Sequence, residues 1–345
     1  AIGTGIGKPS VALSEVGWTP ENGLCMPQLT AKKYQLTFIA GVTMKVDDIN
    51  FKFFHINKWD NGEFKGDAIS TTSELVKISS DGNLGLEEGQ KFERGGIYRF
   101  TVDVTKGNTK AVLTVEKVGK VDLPAPDIFF GNDKMEVTDT DIYKSDQAFT
   151  QGQMITVTGI DNLNEWWIDP DFFEKQSDGA LKFLPINGDY RVTANAVLKY
   201  FSVMALKDGK PAKLQDDGTG AIWAIGKGIG KPSVASSEVG WEPGKALCLA
   251  QVAPKKYQLT LKAGETLKTS GDWEAISFKF FYQNDWGDEF KNYASNTLVE
   301  QLKLTDSGNL EMQDNKAFEE GAVYRFTIDV TNGNANADLK VEKIN

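Results

Sequence analysis

The sequence predicts an all-β protein of three tandem β-sandwich domains, the first and third being homologous repeats. Three observations carry this. Gly5 to Trp18 reads GIGKPSVALSEVGW and Gly228 to Trp241 reads GIGKPSVASSEVGW, with Leu13 against Ser236 as the one difference. A stretch of that length does not recur by composition, so one domain type is present twice. Apolar and polar residues alternate at period two through most of the chain, the signature of half-buried strands, and no long helical stripe occurs. Gly, Asn and Asp clusters separate the alternating runs, as short strands require.

The repeats span 1–119 and 221–345, and their elements match in order. After the shared opening come Lys32 to Thr37 and Lys255 to Thr260, both KKYQLT; the later copy then carries four extra residues, Trp273 among them. Next are FKFF at Phe51 to Phe54 and at Phe278 to Phe281, then Trp59 and Trp286, then EFK at Glu63 to Lys65 and at Glu289 to Lys291. Near each end stands a tyrosine strand, YRFTVDV from Tyr98 and YRFTIDV from Tyr324. Tyr98, Phe100, Val102 and Val104 point one way and Arg99, Thr101 and Asp103 the other. Lys106-Gly107-Asn108 and Asn332-Gly333-Asn334 each separate two alternating runs, where a hairpin needs residues tolerant of positive φ. Each repeat is thus a sandwich of about seven or eight short strands. Residues 120–220 form a middle, diverged β-sandwich domain, entered through the proline-stiffened Lys120 to Pro126. Gly218 to Trp223 runs straight into the second repeat, so that joint is expected to be stiff.

Composition excludes several function classes. A formal charge of −10 repels nucleic acid and anionic membrane surfaces. No run approaches the length needed to span a bilayer, and no signal peptide is seen. Cys25 and Cys248 occupy one position in the two copies and cannot pair within a domain; each lies in an apolar run and reads as a small buried core residue. A single histidine, His55, leaves no His-rich metal site, and its counterpart is Tyr282, an exchange that a catalytic base does not survive. Glu165, Asp169 and Asp171 lie beside Trp166 and Trp167, but grouped carboxylates in an acidic chain read as solvated loop residues rather than a glycosidase pair. No phosphate loop or nucleotide fingerprint occurs. No catalytic residue, metal or cofactor is expected.

Aromatic residues give the stronger signal. Trp59 and Trp286 lie in polar, turn-rich segments rather than strands, flanked by Asn57 and Lys58 and by Asn284 and Asp285. A sugar offers apolar C–H faces ringed by hydroxyls, so its site needs a flat aromatic beside amides and charges. Each tryptophan is read either as such a platform or as a plug closing the end of its sandwich. The preceding strand places Phe278 and Phe280 on the core face and Phe281 with Lys279 and Gln283 on the other; the outward phenylalanine is read as packing, as are Trp18 and Trp241.

The succession resembles the starch-utilisation outer-membrane lipoproteins of Bacteroidetes, the SusE and SusF kind. It is carried by Ile225-Gly226 to Gly240-Trp241, Phe278-Lys279-Phe280 to Trp286-Gly287, and Gly321 through Tyr324 to Asp329. Ile2-Gly3, Gly17-Trp18, Phe51 to Trp59, and Gly96 to Asp103 repeat it in the first copy. The resemblance implies immunoglobulin-like domains, no catalysis, and a lipid-anchored, outward-facing protein of the outer membrane. Such a protein binds oligosaccharide or polysaccharide beside a TonB-dependent transporter complex. It meets the membrane only through a lipid anchor, which this sequence does not contain. The implied glycan site comprises Trp286, Tyr282, Asn284, Lys291 and Trp273 in the later copy, and Trp59, Asn57, Lys65 and His55 in the earlier. The alternative is a structural spacer or interaction protein of a surface complex, with no sugar site of its own.

Overall fold

The computed structural model describes the chain apart from residues 60, 61, 124, 140, 161 and 272–274. It is nearly all β, with several sheets and only single-turn helices, and it separates into two compact units.

The first unit comprises 1–126 and 136–143. One sheet runs in the order Glu15–Gly17, Ile2–Gly7, Asn50–Lys52, Leu84–Leu86, Val76–Ile78. The facing sheet runs Gln28–Thr30, Lys33–Ile39, Gly96–Asp103, Ala111–Lys120, Ile69–Thr71, the last pair parallel. The tyrosine strand buries alternate residues as its pattern predicts, and Lys106-Gly107-Asn108 joins it to Ala111–Lys120 as an antiparallel hairpin, with Gly107 at φ +92°. Phe38, Phe51 and Phe100 form the core between the sheets, their rings 5.4 to 6.1 Å apart. The glycines of the repeated opening have a steric cause. At Gly3, φ +141°, a Cβ would stand 2.3 Å from Phe51 Cα, so only glycine lets these strands meet.

The second unit comprises 127–135 and 144–345. Its C-terminal part repeats the strand order just described: Glu238–Gly240, Trp223–Gly230, Ser277–Phe281, Leu310–Met312 and Leu302–Leu304 in one sheet, with Leu247–Cys248 added to Trp223–Gly230. The other holds Ala250–Ala253, Lys256–Lys262, Val323–Asp329, Asp338–Lys343 and Ser295–Thr297. Every residue of Ser277–Phe281 is buried, so Lys279 and Phe281 are covered on the face opposite the core. The 144–220 part of this unit is also built of short strands, including Gly188–Asn195 paired antiparallel with Tyr200–Lys207.

These two parts are bonded directly to each other. Trp223 is fully buried and donates from Nε1 to the Ala212 carbonyl at 3.0 Å, while Leu214 N donates to the Tyr282 carbonyl at 2.7 Å. Asp169 and Asp171 are not solvated: they are 5% and 1% exposed. Lys231 Nζ, 7% exposed, lies 2.7 and 2.8 Å from the Asp169 oxygens and 3.0 Å from Asp171 Oδ2. Asp171 also accepts from Thr260 N and Oγ1, both at 2.6 Å, and from Gln258 Nε2 at 2.7 Å. Burial pushes the Asp169 carboxyl up. Asp171 is equally buried, yet Lys231 and the bonds from Thr260 and Gln258 outweigh that and hold it low. Glu165 alone of the three stays exposed, paired with Lys199.

The two cysteines differ. Cys248 is buried in a short strand packed near Tyr200–Lys207, whereas the segment around Cys25 forms no strand and leaves the thiol exposed. The expectation of two buried thiols is therefore corrected at Cys25, because the neighbour that covers Cys248 comes from outside the repeated sequence.

Candidate functional site

In the first unit the strand Asn50–Lys52 continues through Phe53 and Phe54 into the loop residues 55–59, and the chain pairs back at Glu63. His55 N donates to the Gly62 carbonyl at 2.7 Å and Phe64 N to the Phe53 carbonyl at 3.0 Å, closing the loop at its base. Alternation sends Phe51 and Phe53 to the core and Lys52 and Phe54 to the other face. There Lys52 Nζ lies 2.9 Å from Glu63 Oε2, both side chains largely buried, and exposed Lys65 approaches the other Glu63 oxygen at 3.9 Å. Trp59, 38% exposed, rests edge-on against Phe54 at 5.1 Å and stands 6.3 Å from the Trp18 ring. Trp18, Lys52, Trp59, Glu63, Lys65, Asp81 and Asn83 line an open cavity of about 390 Å³. The Asp81-Gly82-Asn83 turn reaches this place because Gly82 has no side chain: a Cβ there would stand 1.9 Å from the Phe64 carbonyl oxygen.

The C-terminal copy in the second unit builds the same constellation. Trp286, 50% exposed, lies 5.9 Å from Phe281 at 78° and 6.2 Å from Trp241 at 25°. Lys279 and Lys291 approach the two Glu289 oxygens at 3.2 and 3.6 Å. Phe281 pairs with Glu289 across the loop base. Trp286 N donates to Asp285 Oδ1 at 2.7 Å, and Gln283 Nε2 to the Trp286 carbonyl at 2.5 Å, so the loop backbone is held from both sides.

Among the residues expected to form the site, Trp59 and Lys65 line one cavity, and Trp286 and Lys291 stand in the matching places. His55 and Tyr282 lie apart from these tryptophans. Their rings pack on Phe64 at 5.4 Å and Phe290 at 4.3 Å, because they follow Phe54 and Phe281 in the alternation and turn to the opposite face. Asn57 is exposed outside the cavity lining, with Oδ1 facing Gly23. Asn284 is half-buried, its Oδ1 accepting no hydrogen bond among the described residues. Trp273 lies outside the described residues. Sequence reasoning placed Trp18 and Trp241 with the packing residues, whereas each is half-buried and supplies the second ring of a solvent-facing couple. Lys52, Glu63, Asp81 and Asn83 also line the first cavity. The signal for them was present in the repeated FKFF and EFK segments and in the Gly-Asn turn.

An indole face with a second ring beside it, a buried ammonium–carboxylate pair beneath and amide and carboxylate groups at the rim can stack on an apolar surface and fix hydroxyls around it. Among the described residues, no group of three or more His, Cys, Asp or Glu is placed to hold a metal ion. No helix among them is long and apolar enough to cross a membrane.

Fold and site together define a duplicated all-β sandwich protein with one exposed tryptophan couple in each copy. The chain belongs to the DUF5121 family, a domain of unknown function whose model matches residues 1–105 and again 217–331. Residues 121–214 match a second domain of unknown function, DUF5125. No curated protein matches the chain.

Proposed function

We propose that this protein is a non-catalytic glycan-binding protein that holds neutral oligosaccharide or polysaccharide on its two tryptophan couples. The observation that carries the reading is that Trp59 and Trp286 leave an apolar face in water beside a buried Lys–Glu pair, and that this is built twice. A tryptophan serving only to plug its sandwich would be covered. In this reading the resemblance to the surface starch-utilisation lipoproteins supplies the setting: an outward-facing, lipid-anchored protein of the outer membrane that presents glycan to a TonB-dependent importer.

Covering the exposed half of an indole removes on the order of 100 Å² of apolar surface, about 2.5 kcal/mol at 25 cal/mol per Å². Association costs leave a single site between about 1 mM and 1 μM. Two couples on one chain add avidity on a polymer of repeating units. The test is a glycan array on the intact chain, followed by affinity measurements on W59A, W286A and the double variant. The double variant is expected to lose at least tenfold in affinity with its melting temperature lowered by only a few degrees. A blank array, or unaltered binding by the double variant, overturns the proposal. A large loss of folding stability in either single variant shows that the ring is a plug.

A further inference from the structure

The second unit contains a cavity of about 590 Å³ away from the tryptophan couple, and only part of its wall comes from the repeated sequence. Lys213, Leu214 and Asp216 precede the repeat; Tyr282, Gln283 and Asp288 come from the loop that carries Trp286; the turn at Asn334 closes the far side. The walls are fastened to each other. Leu214 N donates to the Tyr282 carbonyl at 2.7 Å, Lys213 Nζ to Gln283 Oε1 at 2.6 Å, and Asn334 Nδ2 to the Gln215 carbonyl at 2.9 Å. Such a cavity exists before any ligand arrives, and its size falls within the range of small-molecule sites.

Its chemistry is selective. Two carboxylates, Asp216 and Asp288, line the cavity with one ammonium, Lys213, that Gln283 already engages, so the local field disfavours an anion. Among the described residues no third acidic, His or Cys ligand joins them to hold a metal ion. Among the described residues Asn334 Oδ1 is buried without a hydrogen-bond partner, the kind of group that takes up a donor. The Tyr282 hydroxyl donates to the Asn334 carbonyl at 3.4 Å, and burial, then the charge of Asp288, raises its pKa, so the wall is tied here as well. Leu214 and the Tyr282 ring add apolar surface.

We propose that this cavity is a second, non-repeated glycan subsite, which takes a neutral sugar unit through the carboxylates of Asp216 and Asp288, the Asn334 amide and the Tyr282 ring. The inference rests on the glycan-binding reading of the tryptophan couples and deepens it. Gln283 links the two places, since it lines the cavity and also holds the Trp286 carbonyl. The ring of the subsite stands where the copies diverge, Tyr282 against His55.

The test is calorimetry on the intact chain with short neutral oligosaccharides of glucose, mannose, galactose and xylose, and with a uronic acid oligomer as the anionic control. W59A/W286A is expected to retain one weak site for the neutral oligosaccharide that binds the unaltered protein, and none for the uronic acid oligomer. Adding N334L should lower that residual affinity at least tenfold; adding D216A, at an exposed position that keeps the fold should N334L disturb it, should lower it at least threefold. If the unaltered protein binds and W59A/W286A retains nothing, the subsite is refuted while the tryptophan reading stands. Residual binding indifferent to both added substitutions also refutes it. If the unaltered protein binds none of these sugars, both readings fall.

Discussion

Replacing Lys231 by methionine tests the assignment of a structural role to one copy of the repeated GIGKPS segment. Methionine preserves most of the stem volume and removes the ammonium that lies within 3.0 Å of both Asp169 and Asp171. Two carboxylates, 5% and 1% exposed, are then left with no cation beside them. Removing one partner of such a buried arrangement costs about 3–5 kcal/mol, because the remaining charge is neither solvated nor paired. For a unit of this size each kcal/mol lowers the melting temperature by about 2–4 °C, so a fall of about 6–20 °C is expected by calorimetry on the intact chain. The sign of the pH dependence follows. Without the cation both folded-state carboxyl pKa values move up, that of Asp169 from above its unfolded value and that of Asp171 from below it, so the deficit relative to the unaltered protein shrinks as the pH is lowered and the acids take up protons. The deficit is expected to be larger at pH 8 than at pH 5. The internal control is K8M, the same residue of the same segment in the first unit, where the lysine is exposed and its loss should cost within about 0.5 kcal/mol. A K231M deficit below about 1 kcal/mol, one that does not change with pH, or equal costs for the two variants would refute the argument.

Three further outcomes are expected. W241A should weaken oligosaccharide binding to the second unit by severalfold, since Trp241 flanks Trp286 at 6.2 Å; unchanged affinity would return Trp241 to the packing residues. Burial pushes the Asp139 carboxyl up to about 7, with Lys45 pulling it partly back, so the folded first unit holds this proton more tightly than the unfolded chain. Its stability is then highest below the ordinary carboxylate range and declines by a few kcal/mol as the pH rises to about 7, beyond which the effect is constant. D139N should flatten that slope in urea titrations, and parallel profiles for the two proteins would exclude Asp139 as its source. Exposed Cys25 should react with a thiol reagent at once, whereas Cys248, its thiol pushed up to about 12 by burial, should react only on unfolding; simultaneous labelling would contradict the burial.

Period-two alternation in Tyr98 to Val104 made the core strand legible, because half-burial of a strand writes itself into the residues. The positions of Trp59 and Trp286 in polar turns singled them out but left platform and plug both open. Trp18 and Trp241 were not legible as their partners: each lies some forty residues upstream of the ring it meets, across a strand pairing that no local pattern encodes. Alternation did carry the separation of Tyr282 from Trp286, since Phe281 and Tyr282 must face opposite ways. The burial of Asp169 and Asp171 left no trace at all. Their acidic surroundings look solvated, and Lys231 is indistinguishable in sequence from exposed Lys8. Cys25 and Cys248 fail to diverge in sequence for the same reason: what covers one of each pair lies outside the repeat.

The Lys52–Glu63 and Lys279–Glu289 pairs bear on how binding proceeds in time. Each pair ties the outgoing strand to the returning one beneath the tryptophan loop, with the ammonium buried and the carboxylate half-buried, so that salt screens it only in part. The ring above is therefore already seated when a ligand arrives, and the ordering cost of about 0.5–1.5 kcal/mol for a mobile side chain is largely absent. If the couples hold glycan as proposed, capture needs no rearrangement of the loop, and differences in affinity between sugars are expected in their residence times on the indole. Loosening either pair would slow capture while leaving the same surface exposed.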